Sequence, residues 1–221
     1  MGESPATGPA RGAAPRGRHA PPLEVRQQTQ RQRLLNAAAA VFARSGYAEA
    51  SAEAVSREAG MSKATFYEHF ANKEECILAL FDRAAEVVIT AMAESARDAA
   101  EDPEARLRAG TTAFLEALAE HPAHGQTLLV EIIGAGPRAA ERRDSILSAF
   151  SRVVDGENAR AAKRHGWPRF ASPDDAFAIV GAIVELASRQ IRLGEPADVL
   201  ALEPVIERLI VGVASQSTAA E

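Results

Sequence analysis

The stretch SREAGMSKATFYEHFANKEE, residues 56–75, decides the fold. Ala59-Gly60-Met61 breaks the chain between two short helical runs. Two such helices joined by a Gly-containing turn make a helix-turn-helix, whose second helix fits a major groove about 12 Å wide. Ser62 caps that second helix, expected over 63–69. At about 100° per residue, Phe66 and Phe70 fall on one side, suited to packing, while Ala64, Thr65 and Glu68 fall opposite. Lys63 at the helix start is placed for guanine O6 or N7, and small Ala64 permits close approach and contact with a thymine methyl. Tyr67 lies on the flank with a hydroxyl for a phosphate or base. His69 and Lys73 continue the rim, and the next helix offers free backbone N–H groups to a phosphate. Taken singly, Tyr67 and His69 also read as half-buried packing residues, and Lys63 and Lys73 as solvated charges. It is the combination that points to a duplex.

Working outward, Leu34, Ala38, Val41 and Phe42 recur at helical spacing up to Gly46, which places a first helix at 29–45. Ser51, with Glu53 in the first turn, caps a second that ends near Ala59. The ANKEE segment, residues 71–75, opens a fourth toward Ala100. Beyond it, amphipathic segments fall at 104–120, 124–134, 137–165, 173–193 and 203–216, separated by Pro103, Pro122, Gly134, Pro137, Pro168, Pro173, Gly194 and Pro196. No strand-like alternation and no repeat is found. The chain reads as all-α.

The 221 residues suffice for one good core or two linked domains, and 47% hydrophobic with 25% charged residues is globular composition. Charge is unevenly placed. Residues 1–73 hold 10 Lys or Arg against 6 Asp or Glu, and the remainder hold 15 against 24. Such a split suits a chain whose first third meets a polyanion. Residues 1–28 read as a flexible Pro, Gly and Ala-rich basic tail; Arg11, Arg16 and Arg18 either reach phosphates as basic arms do or stay solvated. A single cysteine, Cys76, excludes an intramolecular disulfide, and it reads as a small buried residue. No apolar run approaches the roughly 20 residues of a membrane span. A soluble, cytoplasmic protein without a secretory signal is expected.

The head also resembles a known family. Gly46-Tyr47, Ser51, Val55, Ala59-Gly60-Met61-Ser62, Thr65-Phe66-Tyr67, His69-Phe70 and Lys73-Glu74 fill the pattern of the N-terminal domain of TetR-type transcriptional regulators, over about residues 29–78. The resemblance implies a homodimer with a homeodomain-like three-helix head at 29–75 and a larger helical domain at 76–221 for effector binding and dimerisation. It implies an operator-binding regulator, most simply a repressor that a small molecule releases from double-stranded DNA. Phosphate contacts carry over to Ser51, Thr65, His69 and Lys73, and base-edge contacts to Lys63, Ala64 and Tyr67; Ser62 is grouped with them. Ala50 and Ala52 depart from the pattern, which implies a weaker cap and packing for the second helix. Glu68 on the DNA side either accepts from cytosine N4 or repels phosphate.

An effector pocket within the C-terminal domain should be apolar with a few polar anchors. Thr111, Thr112, Gln126 and Glu131 are the candidates. Glu131, a lone carboxylate in TLLVEIIGAG, either orients a ligand, pairs with an Arg or faces solvent. AFAIVGAIVELASRQIRLG and LEPVIERLIVGVA carry wide apolar stripes that need partners on more than one side. The resemblance implies a dimer interface from these last two helices, with Gly181 and Ala182 permitting close approach; a monomeric core is the competing explanation. His121 and His124 lack the further ligands of a metal site, and no phosphate loop, nucleophile elbow or carboxylate pair is found. No enzyme activity, metal or cofactor is expected. The other reading is a helical small-molecule-binding or protein-interaction module that does not bind an operator.

Overall fold

Side-chain caps set where the short helices begin. In the computed structural model, which describes residues 22–99 and 102–217, Ser51 Oγ accepts the Ala54 N–H at 3.1 Å and Ser62 Oγ accepts the Thr65 N–H at 3.0 Å. Asn72 Oδ1 accepts the Glu75 N–H at 2.9 Å. The described residues form α1 (Leu23–Glu49), α2 (Ala52–Glu58), α3 (Lys63–His69), α4 (Lys73–Asp98), α5 (Pro103–Glu120), α6 (Pro122–Leu129), α7 (Pro137–His165), α8 (Pro173–Leu193) and α9 (Glu203–Ser217). Short 3-10 turns lie at Glu131–Gly134 and Val199–Leu202, and no strand occurs among the described residues.

Four of the expected breakers start helices instead of merely separating them. Pro103, Pro122, Pro137 and Pro173 each occupy the first helical turn, where a missing N–H costs nothing and the fixed φ suits the helix. Ser172 and Asp175 form a reciprocal capping box that fixes the start of α8.

The expected start of α1 at residue 29 is corrected to Leu23, so residues 23–28 belong to a helix and not to a tail. Leu23 and Val25 are largely exposed, so no buried stripe announced this first stretch. It is held by local bonds such as Thr29 Oγ1 to the Val25 carbonyl at 2.8 Å. Arg11, Arg16 and Arg18 lie outside the described residues.

One continuous apolar cluster runs from Leu34 in α1 through Phe66 in α3 and Leu115 in α5 to Ala214 in α9. α4 packs along α5, and α7 along α8. Phe42, Phe66, Ile77, Leu80, Leu115 and Ile132 are fully buried in this cluster. Despite the small residues at its start, α2 is both capped and packed, since Ser51 accepts the Ala54 N–H and Ala52 is buried. The expected weakness there is not seen.

At Gly46 the backbone leaves the helix with φ 73° and ψ 159°, a region essentially closed to residues with a Cβ. Gly46→Ala should therefore lower unfolding free energy by about 1–3 kcal/mol in urea titrations. Gly156→Ala should raise it by about 0.5–1 kcal/mol. Gly156 lies inside α7, where a Cβ would meet only Arg160 Nη1 at 3.9 Å.

Half-burial, then the neighbouring His121 and Arg83, pull the His124 imidazole below its ordinary value near 6.5. The unfolded chain then takes up a proton that the folded chain refuses. Stability is full above about pH 6.5 and falls as pH drops from there toward the folded value. Thermal melts from pH 7.5 down to 5 should show this loss, and His124→Gln should lessen it.

Candidate nucleic-acid interface and effector cavity

α3 separates its two faces as its sequence demands. Phe66 and Phe70 are buried, with ring centroids 5.5 Å apart, and Arg31 of α1 lies over the Phe70 ring at 5.0 Å. Lys63, Ala64, Tyr67 and Glu68 are exposed on the opposite side and flank, Tyr67 at 50% of its surface. Thr65 is half-buried, its hydroxyl 2.9 Å from that of Ser62. The Ser51 and Ser62 hydroxyl oxygens accept backbone N–H groups, and a hydroxyl that accepts retains its hydrogen for a further acceptor.

Of the residues expected at phosphates, Lys73 and His69 are turned partly inward. Lys73 Nζ donates to the Tyr47 carbonyl at 2.7 Å and the Ala48 carbonyl at 3.1 Å, and sits 4.3 Å from the Tyr47 ring centroid. Two of its three N–H donors are thereby used on the turn at the end of α1, beyond the Gly46 kink. His69 Nε2 is shut off from solvent with no hydrogen-bond partner, so this nitrogen does not face a phosphate. Lys73 thus ties the start of α4 to the end of α1.

The same turn is gripped from the other side. Glu131 Oε2 accepts the Tyr47 N–H at 2.7 Å, and Glu131 Oε1 accepts from Gln126 Nε2 at 2.9 Å. A Cβ on Gly46 would stand 3.6 Å from that Oε2, so the carboxylate lies directly against the turn. Tyr47 packs on Phe42 at 5.8 Å, and burial, with Glu74 nearby, raises its phenol above the ordinary value. A hydrogen bond to a charged acceptor contributes about 1.5–3 kcal/mol. Arg33 completes the frame by donating to the Ala59 carbonyl at the end of α2, 2.9 Å away.

Gln126 and Glu131 face the head, Thr112 Oγ1 donates to Glu203 on α9, and none of the three borders the apolar cavity within the helical body. Thr111 does. It borders an apolar cavity of about 80 Å³ enclosed by α4 to α8, walled by Phe81, Val88, Met92, Phe114, Leu128 and Phe150. Arg143 of α7, which the sequence reading passed over, is the charged residue in this lining. A second, open trough of about 1030 Å³ lies between the head and the α4–α7 edge.

Among the described residues no group of three or more His, Cys, Asp or Glu side chains is arranged to hold a metal ion. Burial pushes the Cys76 thiol up to about 12, which keeps it protonated and unreactive. No helix among the described residues is long and apolar enough to cross a membrane.

Residues 34–80 match the profile of the bacterial regulatory proteins of the tetR family. A 101-residue segment is 34% identical to the HTH-type transcriptional activator FasR of Mycolicibacterium smegmatis, covering 46% of this chain and 45% of that protein. The likeness thus spans less than half the length of that relative. The fatty acid degradation regulator FadR of Bacillus halodurans superimposes with a TM-score of 0.75 at 19% identity, over 83% of this chain and 95% of that one. The FadR regulator of Bacillus subtilis, solved in complex with stearoyl-CoA, superimposes with a TM-score of 0.71 at 19% identity, over 81% and 97%. Residues 34–80 thus carry the sequence of a tetR-family head, on an all-helical fold shared with these regulators.

Proposed function

We propose that this chain is a ligand-responsive, operator-binding transcriptional regulator that works as a homodimer. The observation that carries the reading is α3, whose Phe66 and Phe70 are buried while Lys63, Ala64, Tyr67 and Glu68 stand clear of the protein. Such a rod suits insertion into a major groove. Lys63, Ala64 and Tyr67 meet base edges, while the Ser51 hydroxyl and whichever of the paired Ser62 and Thr65 hydroxyls accepts from the other donate to flanking phosphates. His69 and Lys73 position the helix. Residues 29–75 act as the reading head and 76–221 as the effector and dimerisation part, with the boundary inside α4.

A second copy docks across α8 and α9. Phe177, Val205 and Val211 are exposed there, and a Cβ added at Gly181 or Gly212 would meet nothing within 4 Å. Close approach of two such pairs gives a two-fold interface and sets two α3 helices on one duplex, about 34–36 Å apart.

The apolar cavity receives the effector, and the stearoyl-CoA held by the Bacillus subtilis FadR neighbour supports an acyl ligand. Leu128 and Leu129 at the end of α6 line the cavity, and two residues further on Glu131 holds the Tyr47 N–H. A ligand that shifts α6 shifts this grip, tilts the head and breaks the spacing of the two α3 helices. Release from the operator follows. Whether release raises or lowers transcription depends on where the operator lies relative to the promoter; the repressor is the simplest case.

Fluorescence anisotropy with a duplex from the region upstream of the chain's own coding sequence tests this. Affinity should fall steeply with salt. Lys63→Ala should weaken binding by about 1–3 kcal/mol and relax the preference at the base pair it meets. Lys73→Met should weaken binding at an unchanged slope, because its charge meets carbonyls and not phosphate. Absent or salt-insensitive affinity overturns the reading. Phe177→Glu should convert the sedimenting dimer to a monomer and lower operator affinity; a monomeric parent protein overturns the dimer.

A further inference from the structure

Arg143 stands alone in a cavity otherwise lined by apolar side chains and the Thr111 hydroxyl. Its guanidinium makes no hydrogen bond to a described residue, and the carboxylate within reach is that of its own neighbour Asp144, at 3.9 Å. Asp144 is 74% exposed and points to water, whereas the Arg143 side chain is only 27% exposed. The other α7 arginines beside it are treated differently: Arg138 bridges Glu74 and Glu75, and Arg142 bonds Asp82 at 2.6 Å. A half-buried cation left without a strong partner at the rim of an apolar space is costly, and an entering anion removes that cost.

We propose that Arg143 is the specificity-determining anchor of the cavity, and that its ligand is a short apolar chain bearing an oxyanion. The chain enters between Phe81, Val88, Phe114 and Phe150, and a carboxylate or phosphate oxygen meets the Arg143 guanidinium. The volume limits the chain. At roughly 10–15 Å³ of such space per water-sized group, a cavity of about 80 Å³ takes about five to eight non-hydrogen atoms. The open trough near the head is a poorer place for the anion. Its four arginines, Arg31, Arg83, Arg138 and Arg142, are balanced by Glu75, Asp82, Glu86 and Glu141.

This inference rests on the reading of the cavity as the effector site, and the test separates the two. Isothermal titration of the full chain uses hexanoate, hexyl phosphate, hexanamide and stearate. Operator release is measured separately by anisotropy. At least one of the two six-carbon anions should bind about tenfold or more tightly than hexanamide. Arg143→Gln should erase that preference, while Arg143→Lys keeps part of it. Tighter binding of hexanoate assigns the oxyanion to a carboxylate, and tighter binding of hexyl phosphate to a phosphate. Equal binding of amide and anions by the parent protein overturns the proposal without need of any variant. So does undiminished anion binding by Arg143→Gln, or a preference for stearate. Arg143-dependent binding that leaves the operator complex intact supports the anchor and contradicts the regulatory reading.

Discussion

The Tyr47 N–H bonded to the Glu131 carboxylate is the constraint on which the rest of the structure depends. It joins two parts of the chain 84 residues apart, and it acts on the turn that sets how α2 and α3 leave α1. Lys73 holds the same turn by its carbonyls, so the turn's donor is fixed by Glu131 and its acceptors by the start of α4. Gly46 makes this possible: its extended, positive-φ backbone brings the Tyr47 amide toward the carboxylate. The reading helix is therefore oriented from behind, by buried and half-buried contacts, while its outer face stays free.

That arrangement divides labour among the cations. Lys73 and Arg33 bind backbone carbonyls and define shape. Arg138 and Arg142 bind carboxylates along the α4–α7 edge in exposed pairs, which contribute little stability each. Lys63 is exposed at the head of α3 and free for a polyanion, and Arg143 is left at the rim of the apolar cavity. At both sites proposed to bind ligands a cation is not already used. α6 lies between them, lining the cavity with Leu128 and Leu129 and leading directly into Glu131.

Much of this was legible in the sequence because local rules decide it. Ser51, Gly60 and Ser62 fix α2 and α3 through caps and a turn, and the 3.6-residue period assigns Phe66 and Phe70 inward. Glu131 drew attention as a carboxylate among aliphatics, but its partner is an amide, which no sequence pattern displays. Lys73 looked like a rim charge for the same reason: its acceptors are the carbonyls of residues 47 and 48. The first turns of α1 bury nothing and so left no apolar signal. Arg143 was missed because α7 is rich in arginine, and only packing against α4 and α8 singles out the one that faces the cavity.

Amide hydrogen exchange at Tyr47 tests the central claim most directly. In the full chain this amide should be protected, and Glu131→Ala should speed its exchange about tenfold or more, with the amides of α2 and α3 following. An unprotected Tyr47 amide in the parent protein, or one whose exchange is the same in Glu131→Ala, would contradict the account.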